Sequence, residues 1–242
     1  MNYVISLKRS KERRSIFLRE NSHIDFTFFD AIDGSSLSQS IIRDPNLFTL
    51  NLPYTKGAYG CALSHLSLWE FAIKENRIVT IIEDDVILRV DFEHQKNRLV
   101  ESLDFDWDII LWGWNFDHVL SLNLIPNISP VMILFNQDQL RSSTDLFKIE
   151  THKPILYPLD KTFGIPAYSI SPKGAKLFKS SCFPLIPFEI QFPLMDRKTQ
   201  NNGIDIAMNM VYQNSASMVS FPPLAITKNI HEISTVQNNI FF

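Results

Sequence analysis

The sequence has little glycine, only two cysteines and no long apolar run. Its 7 glycines form neither GxGxxG nor GxxxxGK[ST], so the usual signatures of a glycine-rich phosphate loop are missing. Cys61 and Cys182 lack CxxC or Cys/His ligand spacing, which predicts neither a disulfide framework nor a structural zinc site. Asparagine and proline interrupt the longest apolar stretch, residues 120–135, so no segment approaches the roughly 20 residues that cross a bilayer.

The sequence also lacks a large excess of either charge. It has 23 Lys and Arg and 26 Asp and Glu, which give a net charge of −3. A chain without a basic surplus is poorly suited to neutralise a phosphate backbone, so nucleic acid is not an expected partner. The apolar start is too short for a signal peptide, and the cysteine usage fits a reducing compartment. We therefore expect a cytoplasmic protein.

Short apolar runs alternate with helical patterns along the chain. Strands are predicted over Tyr3–Leu7, Phe26–Asp30, Ile78–Ile82, Ile109–Trp112 and Ala167–Ser171. Helices are predicted over residues 61–76, from the Ser171-Pro172 cap to Lys179, and over Ile204–Tyr212. This alternation predicts one α/β domain over residues 1–242, with a mainly parallel central sheet flanked by helices. Residues 126–166 show no period and are predicted to be irregular.

Three consecutive carboxylates, Glu83, Asp84 and Asp85, follow the predicted strand Ile78–Ile82 in the segment TIIEDDVIL. Ligands gather at the carboxyl ends of strands in such sheets. Adjacent carboxylates beside a buried strand repel each other and lose solvation, a conflict that a hard cation such as Mg²⁺ or Mn²⁺ resolves. Alternation of side chains would let Glu83 and Asp85 share a metal and a nucleotide. The alternative is a solvated acidic turn.

The segment KGAYGCALSHLSLWEFAIKENRIVTIIEDDVIL, residues 56–88, resembles the signature of glycosyltransferase family 25, the lipooligosaccharide galactosyltransferase type. Three further blocks resemble the family in order: LKRSKERR with FFDAIDG, then GIPAYSISPKGAKLF, then FPPLAITKNIHEIST. The resemblance implies a GT-A-like fold, with a nucleotide-sugar-binding half over about residues 1–115 and an acceptor-side half over about 116–242. It also implies inverting transfer of a hexose, usually galactose from UDP-galactose, onto a sugar of the lipooligosaccharide or lipopolysaccharide core, expected through a β-1,4 linkage.

The same resemblance orders the metal ligands. By the EDD motif, Asp85 is the first expected ligand of Mn²⁺ or Mg²⁺, Glu83 shares the metal or faces the ribose, and Asp84 supports the turn. His231 is the third expected ligand, because an imidazole can join carboxylates around manganese. A solvated loop histidine is the alternative.

The other candidates for donor binding lie at strand ends and in the helix before the acidic strand. They are Leu7, Lys8, Arg9, Arg13, Asp33, Ser64 and His65. Basic side chains after the first strand suit uracil or diphosphate, Asp33 suits a ribose or base, and Ser64 and His65 are predicted in a first helical turn that favours anions. A solvated basic helix face, an ordinary Asp-Gly turn and a structural histidine are the respective alternatives.

Inverting transfer also needs a base that takes the proton of the acceptor hydroxyl. Asp205 and Glu189 are the preferred candidates, ahead of Asp160 and Asp196, although Asp205 is equally suited to the first turn of a helix. The acceptor is expected to be a glycolipid or oligosaccharide, which leaves peripheral contact with the cytoplasmic face of the inner membrane open. Alternatives are a transferase for UDP-glucose or another UDP-hexose, a nucleotidyltransferase, and a non-catalytic glycan-binding relative.

Overall fold

The computed structural model describes residues 1–192, 194 and 197–228, and each of the five predicted strands coincides with a strand of the structure, which contains eight further strands in the described residues. The first strands are β1 (Asn2–Ser6), β2 (Thr27–Asp30), β3 (Val79–Glu83), β4 (Val86–Leu88), β5 (Ile109–Leu111), β6 (Val119–Ile125) and β7 (Ser129–Leu134). The later strands are β8 (Ile155–Thr162), β9 (Ala167–Ile170), β10 (Glu189–Phe192), β11 (Arg197–Gln200), β12 (Ser217–Phe221) and β13 (Ala225–Thr227).

Helices separate many of these strands. They are α1 (Lys11–Glu20), α2 (Gln39–Ile42), α3 (Lys56–Glu75), α4 (Phe92–Glu101), α5 (Gln137–Ser142), α6 (Thr144–Lys148), α7 (Pro172–Cys182) and α8 (Ile204–Met208). Short 3-10 helices cover Gly34–Ser36 and Tyr212–Asn214. No helix in the described part of the chain is long and apolar enough to cross a membrane.

Nine of the described strands form one sheet in the order β2-β1-β3-β9-β5-β12-β8-β6-β7. β1 pairs in parallel with β2 and β3, and β5 pairs in parallel with β12. β9 runs antiparallel between β3 and β5, while β8, β6 and β7 complete an antiparallel end. The predicted α/β class is confirmed, but the sheet is mixed and less parallel than expected, because β9 inserts a reversed strand into its middle and β8, β6 and β7 extend it by antiparallel pairs.

Helices cover both faces of the sheet, and the alternation of side chains along each strand supplies both contacts. On one face, Ile81 of β3 belongs to the same apolar cluster as Trp69 of α3 and Phe178 of α7. On the other face, Ile82 clusters with Phe17 of α1 and Phe92 of α4. Burial on both faces explains why these strands read as continuous apolar runs.

The helix α3 begins five residues earlier than the sequence predicts. Thr55 caps it, because its side chain accepts a hydrogen bond from the Ala58 amide. The two glycines at 57 and 60 are typical of a turn, which is why the sequence predicts the start of the helix after them. Gly60 nevertheless lies inside the helix, where a β-carbon would be 2.3 Å from the carbonyl oxygen of Ile32. A glycine at this position therefore lets α3 approach the segment that follows β2.

Two other predictions differ from the structure. Residues 126–166 are not irregular: they contain β7, α5, α6 and β8. The helices α5 and α6 span fewer than two turns each, and no residue of β7 is buried, so neither a helical period nor an apolar strand run shows in the sequence. The predicted helix Ile204–Tyr212 ends at Met208, and a 3-10 turn follows at Tyr212.

We expect Gly60→Ala to destabilise the protein, although alanine normally stabilises a helix interior by about 0.5–1 kcal/mol relative to glycine. The added methyl group must displace backbone that it cannot avoid, with an expected loss of about 1–3 kcal/mol in the free energy of unfolding. Urea unfolding measures this loss. Lys74→Gly, at an exposed position of the same helix, is the control and should cost about 1 kcal/mol. A stabilised Gly60→Ala variant would contradict the close approach.

Candidate active site

The carboxyl ends of β1, β2 and β3 meet at one edge of the sheet, together with the amino end of the antiparallel β9. A cavity of about 210 Å³ opens at this edge. Its polar lining consists of residues from seven segments: Ser6, Arg9, Ser10, Arg13, Asp33, Ser35, Cys61, Ser64, His65, Glu83, Asp84, Asp85, Asn115, Asp205 and Thr227. The edge predicted to bind a ligand therefore carries the largest group of sequence-predicted site residues.

The three consecutive carboxylates occupy different environments. Glu83 ends β3, whereas Asp84 and Asp85 form the turn into β4. Asp84 is buried, accepts a 2.6 Å hydrogen bond from the Ser6 hydroxyl and is paired with the Arg13 guanidinium. Arg13 Nη2 also lies 3.3 Å from Asp85 Oδ2, so one cation serves two of the acids.

The charge of Glu83 is compensated least. Burial, followed by repulsion from Asp85 and Asp205, raises the pKa of Glu83 to about 8. Burial also raises the pKa of Asp85, against the opposing effect of Arg13. At Asp205, burial raises the pKa even though the Gly164 amide donates a 2.9 Å hydrogen bond to Oδ2. The cavity thus holds more negative charge than the surrounding side chains neutralise.

These carboxylates fit a hard divalent cation. Their raised pKa values show that the sites disfavour ionised carboxylates without a counter-charge, and oxygen is the ligand that Mg²⁺ and Mn²⁺ prefer. Glu83 and Asp85, the two predicted ligands, both line the cavity. The third predicted ligand, His231, lies outside the described residues.

The basic residues after β1 divide into cavity and surface groups. Arg9 Nε donates a 2.6 Å hydrogen bond to Asp33 Oδ2, and this pairing, with further hydrogen bonds from Ser35, keeps the pKa of Asp33 low. Both Arg9 and Asp33 line the cavity, as does the predicted Leu7. Lys8 is exposed, 3.8 Å from Asp30, and is not among the lining residues.

Asp33 serves the turn and the cavity together. Its side chain accepts a hydrogen bond from the Ser35 amide and so caps the 3-10 helix Gly34–Ser36, as expected of an Asp-Gly turn.

Arg14 connects the ends of β1 and β2. Its guanidinium donates hydrogen bonds to the Ser6 carbonyl at 2.7 Å and to Asp30 at 2.6 Å. Arg14 is therefore a structural residue of this edge.

Ser64 and His65 lie near the middle of the 20-residue α3, so their predicted place in a first helical turn is wrong. The early start of the helix at Lys56 puts Gly57 and Ala58 there instead, and these two residues line the cavity. The Ser64 hydroxyl donates to the Gly60 carbonyl at 2.7 Å and accepts from the Ile32 amide at 2.9 Å. Ser64 thus joins α3 to the segment after β2.

His65 is fully buried and takes part in a polar chain. Its Nδ1 lies 2.8 Å from the Tyr168 hydroxyl, which also accepts a 2.8 Å hydrogen bond from Trp69 Nε1. Burial lowers the pKa of His65 to about 3, so the ring is neutral at physiological pH. Its other nitrogen, Nε2, is 3.9 Å from Glu83 Oε1.

A second group of potential metal ligands surrounds this histidine. One ligand atom each from Cys61, His65 and Glu83 lies within 4.8 Å of the others. Burial, with a contribution from the nearby Glu83 charge, raises the pKa of the Cys61 thiol well above its usual value. The thiol is therefore protonated, and since the thiolate is the metal-binding form, this group is less suited to a metal than the carboxylates are.

Of the two preferred candidates for the base, Asp205 lines the cavity and Glu189 does not. Asp205 lines the cavity at the start of α8, opposite Gly164, whose φ of +74° and contact with Asn115 favour glycine. Glu189 lies on β10, exposed, and is not among the lining residues. Asp160 is buried on β8, where Ser121 and Lys161 bind its carboxylate. Asp196 lies outside the described residues.

Sequence reasoning missed Ser6, Asn115 and the role of Tyr168. Ser6 is the last residue of β1, and Asn115 follows β5, so the rule that ligands bind at carboxyl ends of strands could have indicated both. Tyr168 gave no such signal. It is buried in β9, and its hydroxyl meets His65 only through the pairing of β9 with β3.

The fold and the cavity define an α/β protein with a charged ligand site at one edge of its sheet. The family model described as glycosyltransferase family 25 (LPS biosynthesis protein) matches residues 1–190. The chain belongs to glycosyltransferase family 25, which confirms the family predicted from the motifs.

Individual relatives are similar over a shorter segment. Procollagen galactosyltransferase 2 of Mus musculus is 34% identical over 125 residues, covering 46% of this chain and 20% of the relative. Inactive glycosyltransferase 25 family member 3 of Homo sapiens is 35% identical over 125 residues, covering 46% and 21%. The chain thus spans about a fifth of the length of these curated relatives.

Among solved structures, the inositol-1-phosphate CTP transferase from T. maritima matches with a TM-score of 0.38 and 10% identity. The match covers 93% of this chain and 68% of that chain. A similarity this low does not indicate a function.

The raised pKa of Glu83 predicts that stability falls as the pH rises in metal-free protein. An unfolded chain releases this proton near the usual 4.5, whereas the folded protein holds it until about pH 8. Between these values the folded state binds more protons, so its stability is lost as the pH rises toward 8. Urea unfolding at pH 5 and pH 8 in the presence of a chelator measures the loss.

Glu83→Gln should reduce that pH dependence, because glutamine does not titrate. Glu75→Gln, at the exposed end of α3, is the matched control and should retain the wild-type dependence. Identical pH dependence in the wild type and Glu83→Gln would show that Glu83 titrates normally.

Proposed function

We propose that this chain is an inverting, metal-dependent hexosyltransferase that moves galactose from UDP-galactose onto a sugar of the lipooligosaccharide or lipopolysaccharide core, through a β-1,4 linkage. The observation that carries this proposal is the meeting of incompletely neutralised carboxylates with arginines in one cavity at the carboxyl ends of β1, β2 and β3. Membership of family 25 and similarity to proteins named galactosyltransferases support the choice of sugar. A glycolipid acceptor would bring the protein to the cytoplasmic face of the inner membrane.

The basic side of the cavity suits the donor diphosphate. Arg9 and Arg13 line it, and the guanidinium group is the side chain best matched to phosphate oxygens. The first turn of α3 contributes Gly57 and Ala58 to the same wall, and amides at the start of a helix favour anions. These features support a donor diphosphate that would bind beside the acidic group proposed to hold its cation.

Glu83 and Asp85 would hold Mn²⁺ or Mg²⁺, with Asp84 supporting the turn. The ion supplies positive charge where negative charge develops on the leaving diphosphate. Asp84 is well placed for the supporting role, because Ser6 and Arg13 already bind its two oxygens. His231 stays a proposed third ligand.

Asp205 is the proposed base for the acceptor hydroxyl. Its carboxylate lines the cavity and is close enough to Glu83 for repulsion between the two to raise the pKa of Glu83. Burial raises the pKa of Asp205 itself, which makes its ionised form a stronger proton acceptor. The hydrogen bond from the Gly164 amide to Oδ2 fixes the orientation of the carboxylate while it accepts the proton.

A second candidate function is non-catalytic glycan binding. The names of several relatives, including family member 3 of Homo sapiens and of Mus musculus, describe them as inactive. The same cavity would then bind a sugar nucleotide or glycan without transfer. A transferase for UDP-glucose or another UDP-hexose is the nearer alternative, and product analysis with a panel of UDP-hexoses separates it from the galactosyltransferase.

We expect UDP-galactose and Mn²⁺ together to raise the melting temperature more than the sum of their separate effects. Ligands that bind only the folded state stabilise it, by about 2.7 kcal/mol at a concentration 100 times the Kd. Differential scanning calorimetry measures the shift, and a chelator should abolish the joint effect. A folded protein that no UDP-hexose stabilises with Mn²⁺ would count against the proposal.

Substitutions of the acids test catalysis. Asp205→Asn should lower kcat by about 10²–10⁴-fold through loss of the base, while UDP-galactose still binds. Asp85→Asn should weaken the binding of Mn²⁺ as well as the rate. Glu189→Gln decides between the two candidate bases and should leave kcat nearly unchanged. Asp138→Asn, whose side chain is 92% exposed on α5, is the control. Binding without transfer in the wild type would favour the second candidate function.

A further inference from the structure

The pair formed by His65 and Glu83 presents two unlike hydrogen-bonding groups to the cavity. The distance of 3.9 Å between His65 Nε2 and Glu83 Oε1 is too long for a direct hydrogen bond. Within the described residues, Nε2 is a buried nitrogen with no hydrogen-bond partner, although both side chains line the cavity. A buried polar atom without a partner is unusual, and this one belongs to a side chain that lines the cavity beside Glu83.

The polar chain behind His65 determines which nitrogen carries the hydrogen. Trp69 Nε1 can only donate, so the Tyr168 oxygen accepts its hydrogen bond at 2.8 Å. The single hydroxyl hydrogen of Tyr168 is then directed to His65 Nδ1, also at 2.8 Å. A neutral imidazole that accepts at Nδ1 carries its hydrogen on Nε2. We therefore assign the Nε2–H tautomer from the hydrogen-bond network.

This tautomer makes His65 a donor, and in the ionised form of Glu83, which a bound cation would favour, Oε1 is an acceptor beside it. A group lying between them must accept from the imidazole and donate to the carboxylate. A phosphate oxygen cannot donate, and an ammonium group cannot accept, so neither satisfies the pair. A hydroxyl group does both, and its oxygen can lie about 2.8 Å from two atoms that are 3.9 Å apart.

We infer that His65 and Glu83 form a subsite for one sugar hydroxyl of the UDP-hexose, and that Tyr168 is a positioning residue that holds His65 in the donor tautomer. This inference rests on the proposed function. It uses only Oε1 of Glu83 and so leaves Oε2 available to the cation. The hydroxyl belongs either to the hexose or to the ribose, since both offer the same chemistry.

Nitrogen-15 NMR of the histidine side chains tests the assigned tautomer in unmodified protein. We expect His65 to show hydrogen on Nε2 and none on Nδ1, at neutral pH and without ligand. Tyr168→Phe should alter this tautomer, an effect that a purely structural role for the tyrosine would not produce. Hydrogen on Nδ1 of the wild-type protein would overturn the inference.

Deoxy analogues test the subsite itself. Calorimetric titration with Mn²⁺ compares UDP-galactose with its monodeoxy-hexose analogues and with analogues that lack a ribose hydroxyl. In the wild type, removal of one particular hydroxyl should weaken binding about tenfold or more, because it leaves the buried His65 donor unpaired. In His65→Phe the same removal should have little further effect. The position of that hydroxyl identifies the hexose or the ribose.

The outcomes separate the two proposals. Binding of intact UDP-galactose by the wild type, with equal losses for every analogue in the wild type and His65→Phe, overturns the subsite but leaves the proposed function standing. Failure of the wild type to bind any intact UDP-hexose overturns both. If His65→Phe does not fold, Tyr168→Phe replaces it in the same comparison, and His94→Phe, at an exposed position of α4, is the matched control for both.

Discussion

Arg13 is the counter-charge that allows acidic residues to follow a buried strand. Its guanidinium pairs with Asp84 and lies 3.3 Å from Asp85, while the hydroxyl of Ser6 completes the environment of Asp84. The end of β1, the helix α1 and the turn after β3 are thereby joined around one carboxylate. Because a buried charge is tolerated only when it is paired and hydrogen-bonded, the acidic turn depends on this arrangement.

Arg13 neutralises only part of the carboxylate charge, and the charge that it leaves uncompensated gives the cavity its chemistry. Glu83 at the end of β3 and Asp205 at the start of α8 lie close enough for their charges to repel each other. A fold that keeps such groups together is less stable when they ionise without a partner. The fit to a cation and the electrostatic cost of ionising these carboxylates without one are consequences of the same arrangement.

The opposite wall of the cavity depends on the close approach of α3 to the segment that follows β2. Gly60 lets α3 approach the carbonyl of Ile32, and Ser64 accepts a hydrogen bond from the amide of the same residue. The next residue of the same helix, His65, lies 3.9 Å from Glu83 through Nε2, and on its other side Nδ1 is hydrogen-bonded to Tyr168, which accepts a hydrogen bond from Trp69. The cavity thus combines a charged side, suited to a diphosphate and its cation, with a neutral donor suited to a hydroxyl.

Local sequence determined the strands β1, β2, β3, β5 and β9, the cap of α7 and the acidic turn, because apolar runs and capping residues act within a few positions. It also indicated the family through ordered motifs. Tertiary structure alone decided that β9 inserts antiparallel between β3 and β5, that Asp205 rather than Glu189 reaches the cavity, and that Tyr168 binds His65. Those contacts join residues far apart in the chain, and no local pattern encodes which distant strand or helix will supply the partner.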